Sequence, residues 1–253
     1  MTAGAQISAV TLAQRPDLAD GLPDLLAARW PRFMVQARPA HDVDLIALLT
    51  TQAPQHQVVL LDAEDDSVLG VGLSVPVSAA EDAALPQGWD AAVRAGAAFV
   101  ASGAPPGTVS ALSITMTERG AGRGLSIRLV QSLKDAAAAA GAVRLIAPVR
   151  PTRKAGFPLV PLTEYLQWRT AQGQVFDPWV RLHLHAGGIQ GEVAEESMTL
   201  TGAVTQWQSW TGLELPGSGA YVLPGGLAPL HVDHDTDVGV YREPNVWIMH
   251  PLR

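Results

Sequence analysis

Thr108-Val109-Ser110-Ala111-Leu112-Ser113-Ile114-Thr115-Met116 leads into Arg119-Gly120-Ala121-Gly122-Arg123-Gly124, and a regular run follows from Leu125 to Ala140. The first segment is apolar and β-branched with no breaker, so it predicts a strand. The last puts Leu125, Leu129, Leu133, Ala136 and Ala140 on one stripe, with Arg128, Gln131, Lys134 and Asp135 opposite. That pattern predicts an amphipathic helix lying on a sheet. The three glycines between them allow a tight turn and leave several amide N–H groups at a helix start. Unpaired amides and the positive end of the helix dipole point the same way there, which favours an anion. Two arginines in the same six residues point to a phosphate-bearing ligand.

Further elements follow on either side. Upstream, Ile7–Thr11 reads as a strand, Arg15-Pro16-Asp17 opens a helix running to about Trp30, and Asp42 is placed to cap a short helix from Val43 to Leu49. Val58–Leu61 and Val68–Val77 form a hairpin across Glu64-Asp65-Asp66, and an alanine-rich helix follows Gln87-Gly88-Trp89-Asp90. Downstream, Gly141 stands where a helix-ending glycine belongs, and Ala142–Val149 is a buried strand. Leu162–Thr170 reads as helical, and Asp177-Pro178 opens another helix that ends at Gly187-Gly188. Glu196–Thr201, Leu230–His234 and Val238–Met249 read as strands. No repeat or linker divides the chain, so the expectation is a single α/β or α+β domain over residues 1–253.

Bulk properties narrow the function. The 253 residues are 47% hydrophobic and 16% charged, enough to bury a real core. With 17 basic and 24 acidic side chains the net charge is -7, which argues against a nucleic-acid partner. The chain has no cysteine, which excludes disulfides, thiolate metal sites and cysteine nucleophiles. Met1-Thr2-Ala3-Gly4-Ala5 carries no secretory pattern and no apolar run suits a membrane span, so the expected location is cytoplasmic.

Three phosphate-binding patterns bear on the glycine loop. A P-loop would need a Lys-Ser/Thr pair after its second glycine, and the chain has none. A dinucleotide fingerprint fits Gly120 and Gly122 but meets Leu125 where its third glycine belongs, and Val149-Arg150 leaves the acidic ribose ligand unfilled. Arg119-x-x-Gly122-x-Gly124 fits the third in full. It resembles the Arg/Gln-x-x-Gly-x-Gly/Ala signature of the GNAT superfamily of N-acetyltransferases, in the same strand–loop–helix–strand context. The specific resemblance covers about residues 105–150. Trp30-Pro31-Arg32-Phe33-Met34 and Val240–Trp247 are similar to segments of a bacterial branch of GNAT-like proteins.

The resemblance implies a mixed, mostly antiparallel central sheet flanked by helices. It implies an acyl-CoA-binding core at about 55–150 and an elaborated C-terminal part at about 155–253. Acetyl-CoA or another acyl-CoA would set its pyrophosphate on the amides of Gly120, Ala121, Gly122, Arg123, Gly124 and Leu125, helped by Arg119 and Ser126. Its pantetheine arm would pair with Ile114, Thr115 and Met116, and an amide near Met116 would polarise the thioester. The reaction would be direct attack by the amine of a small molecule or peptide. The alternative is a catalytically silent CoA-binding module acting as a sensor or partner.

Departures from the family pattern set further expectations. After Val149 the family usually carries an Asn and then a helix with a proton-donating tyrosine. This chain has Arg150-Pro151-Thr152, and its first tyrosine is Tyr165, which is either that acid or a packing residue. The helix near Trp89 is an insertion that would cover the acceptor pocket. Tyr241 and Glu243 share a strand face and are further catalytic candidates, against a reading as edge-strand surface. Trp30 and Phe33 are candidates for lining the acceptor pocket. His231-Val232-Asp233-His234-Asp235-Thr236-Asp237 reads as a solvated acidic hairpin, not a metal site, and His183 and His185 read as ordinary surface or packing residues. The apolar C-terminal half offers surface for a homodimer.

Overall fold

The computed structural model describes residues 7–39 and 41–252, so Met1–Ala5 lie outside the described residues. Its strands are β1 (Ile7–Thr11), β2 (Arg38–Pro39), β3 (Val58–Asp62), β4 (Val68–Ser78), β5 (Thr108–Met116), β6 (Arg144–Val149), β7 (Ile189–Gly202), β8 (Gly219–Val222), β9 (Pro229–Asp233) and β10 (Val238–Pro251). Its α-helices are α1 (Leu22–Arg29), α2 (Arg32–Gln36), α3 (Leu45–Ala47), α4 (Trp89–Val100), α5 (Ser126–Ala139), α6 (Leu162–Tyr165), α7 (Pro178–His185) and α8 (Val204–Thr211). One sheet runs β1-β3-β4-β5-β6-β10-β7-β2, with β9 joining β10 and β8 joining β9.

Every pairing but one is antiparallel. The exception, β5 with β6, is parallel and short: Thr108↔Arg144, Val109↔Leu145 and Ser110↔Ile146. Beyond Ser110 and Ile146 the two strands part and continue unpaired with each other to Met116 and Val149. At the same point β5 bulges. Leu73 faces Ser113 and Ser74 faces Ala111, so Leu112 is an extra residue on β5. The Trp89 indole N–H donates to the Leu112 carbonyl at 2.9 Å and satisfies the oxygen the bulge frees.

Two apolar layers sandwich the sheet. One packs Trp89, Phe33 and Trp207 from α4, α2 and α8 against Leu112, Ile146 and Trp247. The other packs Leu129, Leu133 and Val180 from α5 and α7 against Ala111, Ala147, Val246 and Ile248. Alternation along β10 therefore assigns its residues to layers: Tyr241 and Trp247 face the α4 side, Val246 and Ile248 the α5 side.

Several local expectations are corrected. Asp44, not Asp42, caps α3, its Oδ1 accepting from the Ala47 amide at 3.0 Å. The helix expected from Arg15 to Trp30 is a 3-10 turn, Pro16–Gly21, followed by α1. The helix expected over Leu162–Thr170 ends at Tyr165, because the Trp168 carbonyl accepts from Phe176 and Arg169 bridges to Val175. β7 begins at Ile189 instead of Glu196, and α8 and β8 are additions. β10 lies inside the sheet between β6 and β7, so Tyr241 and Glu243 are buried residues and not edge surface.

Candidate functional site

The glycine loop divides its labour. A Cβ on Gly120 would lie 1.9 Å from the Leu69 carbonyl oxygen, so Gly120 lets the loop press against β4. Gly122 and Gly124 have φ of 73° and 70°, the left-handed region, with open space around them. The Ala121 amide donates to the Thr117 carbonyl and the Gly120 amide to Thr117 Oγ1. From Gly122 to Ile127, no group among the described residues accepts from the backbone amides. α5 then starts without a side-chain cap and without an acidic residue in its first turn. This cradle, with its amides free and its surface clear, suits the pyrophosphate of a CoA ester.

The loop arginines are used differently. Arg119 donates to Asp65 Oδ2 at 2.6 Å and Asp62 Oδ2 at 3.1 Å, and the Arg123 guanidinium lies 3.8 Å from the same Asp62 oxygen. Arg119 thus ties the loop to the β3–β4 turn.

A cavity of about 370 Å³ opens where β5 and β6 part. Ala111 to Ile114 and Ala147 to Val149 form its strand walls. Ser126, Trp179 and His183 close it on the α5–α7 side, while Arg29, Trp30, Met34 and Trp89 close it on the α1–α4 side. The cavity therefore reaches both faces of the sheet, and Ser126, the first residue of α5, borders it on the loop side, while residues 119–125 do not line it.

Of the expected ligand residues, Ile114 and Ser126 line this cavity. Thr115 is buried and accepts from the Trp30 indole N–H at 3.2 Å, with Ser113 Oγ 2.9 Å from its hydroxyl. Met116 turns its sulfur towards Gly70. Leu125 buries its side chain in the α5 layer. Trp30 lines the cavity, but Phe33 does not; it is buried against Trp207 and Tyr241.

The catalytic candidates separate clearly. Tyr165 is fully buried outside the cavity lining and donates to Asp177 Oδ2 at 2.8 Å. Burial, then the Asp177 carboxylate, pushes its hydroxyl well above the usual range. Asp177 also caps α7 through Trp179 and Val180, so Tyr165 sits in a structural knot. Glu243 lines the cavity. Tyr241 donates to its Oε2 at 2.6 Å and Arg150 to its Oε1 at 2.8 Å. The Tyr241 oxygen in turn accepts from the Leu227 amide. Burial and then the Glu243 charge raise the Tyr241 pKa.

The cavity also holds residues the sequence did not mark as ligands: Arg150, Trp179, His183, Met198 and Asn245. The break after Val149 flagged Arg150, but its partner lies 93 residues away. His183 is buried, the packing alternative of its reading, and meets His250 at 2.9 Å. In the acidic hairpin, Asp233 accepts from Asp235 and Thr236, and His234 Nε2 meets the Leu215 carbonyl. Among the described residues no cluster suits a metal ion, and no helix is long and apolar enough to cross a membrane.

No family model matches the chain. Arginine N-acetyltransferase avaD of Aspergillus versicolor is 32% identical to it over 276 residues, spanning 96% of this chain and 93% of that protein. The chain belongs to the GNAT superfamily of N-acetyltransferases. Solved structures share this GNAT fold at low identity. The loading GNATL domain of CurA from Lyngbya majuscula has a TM-score of 0.62 at 14% identity, with 98% of each chain covered. The GphF GNAT-like decarboxylase, solved with isobutyryl-CoA, has a TM-score of 0.55 at 18% identity, covering 98% of this chain and all of that one.

Proposed function

We propose that this GNAT protein transfers an acyl group, acetyl first, from acyl-CoA to the amine of a small molecule or peptide by direct attack. The parting of β5 and β6 carries the reading. It opens one cavity through the sheet, with free loop amides on the α5 side and a carboxylate, Glu243, on the other. The thioester then enters from the loop side and the amine from the side of Trp30 and Trp89. Holding both in one water-poor cavity supplies the larger part of the acceleration. The polarising amide falls within Ala111–Ile114, which line the cavity, and not near Met116.

In this reading Glu243 orients the acceptor amine and takes its proton, while Tyr241 and Arg150 fix the carboxylate. Tyr165 has no part in the chemistry, because its hydroxyl is committed to Asp177. A silent CoA-binding module is not favoured, since the full-length relative bears an enzyme's name. We read residues 1–253 as one domain, because β10 pairs with both β6 and β7 and so joins the C-terminal half to the core sheet, and we place it in the cytoplasm as the sequence suggests.

Calorimetry with acetyl-CoA and thiol release over an amine panel test the proposal. Arginine heads the panel because the Aspergillus relative is named for it. Acetyl-CoA binding lost in Gly122→Trp and Gly124→Trp, with thiol release in the wild type, is expected. Failure of acetyl-CoA to bind, or binding unchanged in those variants, overturns it.

A further inference from the structure

His183 and His250 form a buried pair that the proposed reaction does not use. His183 Nδ1 lies 2.9 Å from His250 Nε2. Burial first, then His250 beside His183 and Lys134 beside His250, pushes His183 down to about 3 and His250 down to about 4, so both rings are neutral near pH 7. A neutral pair sharing one hydrogen bond needs one proton between the facing nitrogens, and His250 decides which ring supplies it.

His250 Nδ1 is buried without a hydrogen-bond partner of good geometry, and its polar neighbour is the Ala186 carbonyl. A lone pair there would face the lone pairs of that oxygen, so the proton sits on Nδ1. Lys134 Nζ, 3.1 Å from the same carbonyl, is the cation nearest this end and keeps His250 from taking a second proton. His250 Nε2 is therefore the acceptor and His183 Nδ1–H the donor. The His183 ring is left with a lone pair on Nε2, the nitrogen that faces away from His250. His183 lines the cavity on the α7 side, with Trp179 edge-on at 4.5 Å. The ring thus presents a fixed acceptor to the α5–α7 side of the cavity, which Ser126 also borders, away from Glu243.

We propose that His183 positions the acyl-CoA by accepting, at Nε2, a hydrogen bond from an amide N–H of the pantetheine arm. This rests on the acyl-CoA reading above. It answers a need of that reading, because the arm's N–H groups leave water on entering the cavity and each loses binding unless it finds an acceptor. Held neutral, His183 is a poor base but a sound acceptor, which suits positioning and not proton transfer.

A cycle of ligands and variants tests the assignment. CoA is compared with an analogue whose pantetheine amides are esters, in the wild type and in His183→Phe. The ester penalty is expected to be about tenfold larger in the wild type than in His183→Phe. Acetylation in His183→Phe should show a raised KM with kcat little changed. Labelled-histidine NMR of the wild type covers the case of a misfolded variant: His183 Nε2 should report a bare nitrogen in the free protein and shift when CoA is added. CoA that binds with equal ester penalties in both proteins, or an Nε2 signal that does not move on saturation, overturns the assignment and leaves the acyl-CoA reading standing. Absence of CoA binding to the wild type overturns both.

Discussion

Arg119 and Asp65 face each other at 2.6 Å across the gap between the glycine loop and the β3–β4 turn. Asp62, buried on the same turn, takes the second arm of the guanidinium. The signature arginine thus acts as a strut that fixes the loop from behind. Arg119→Ala should weaken CoA binding a few-fold by loosening the loop, without the steep salt dependence of a lost phosphate contact. Asp62→Asn should do the same, although it adds no cation and removes none from the loop. Calorimetry at two ionic strengths checks both; stronger CoA binding in Asp62→Asn would show that the arginines serve the ligand directly.

Gly120 and Gly122 should respond differently. An alanine at Gly120 puts its Cβ into the Leu69 backbone, so the loop must move off β4 and CoA binding should fail. Gly122→Ala meets nothing, but its φ of 73° is costly for an L-residue, about 1–2 kcal/mol. The protein should stay folded with a lower unfolding midpoint. Denaturant titration of each variant, paired with CoA affinity, separates the two cases.

The contrast shows what a sequence carries. The β5–loop–α5 unit was legible because its signals are local: a breaker-free strand, glycines where the backbone must turn, and an apolar stripe at helical period. Thr108–Met116 and Ile7–Thr11 were placed to the residue. Asp42 was read as the cap, but in the packed turn Asp44, two residues on, takes that role. The first half of β7 was invisible because its residues are largely exposed and interrupted by Gly191. Across the cavity, Trp30, Trp89 and Glu243 were legible as single residues, but the pairs that hold the site together were not. Arg150–Glu243 and His183–His250 join residues 93 and 67 apart, and nothing local marks such pairs.

Glu243 should be the most sensitive side chain on the acceptor side. Glu243→Gln keeps the shape but removes the charge that Arg150 and Tyr241 both address. On its proposed role as proton acceptor for the amine, the substitution should lower kcat by about 10²–10⁴. Tyr241→Phe deletes one hydrogen bond to the buried carboxylate and should cost about 1.5–3 kcal/mol of stability, with a smaller loss of kcat. Tyr165→Phe should destabilise the protein through Asp177 while leaving the kcat of the folded fraction near wild type. Steady-state kinetics beside urea unfolding separates the three. Equal kcat losses in Tyr165→Phe and Glu243→Gln would contradict these roles.

Acid should unfold this protein through its histidines. His183 and His250 titrate near 3 and 4 when folded, against an ordinary value near 6.5. Below about pH 6.5 the unfolded chain takes up protons that the folded one refuses, so stability falls as pH drops towards 4. His41 and His56, also depressed by burial, act in the same direction. Asp90 opposes them. Burial raises its carboxyl to about 6, so the folded state holds a proton that the unfolded chain gives up above about 4. Its contribution is lost as pH rises through 6. Four histidines against one aspartate leave the histidines in control between pH 4 and 6.5. Urea midpoints across that range should fall on acidification in the wild type and fall further in Asp90→Asn, where the opposing group is gone. His250→Gln should flatten the slope. A wild-type midpoint that rises towards pH 4 would show that Asp90 outweighs the buried rings.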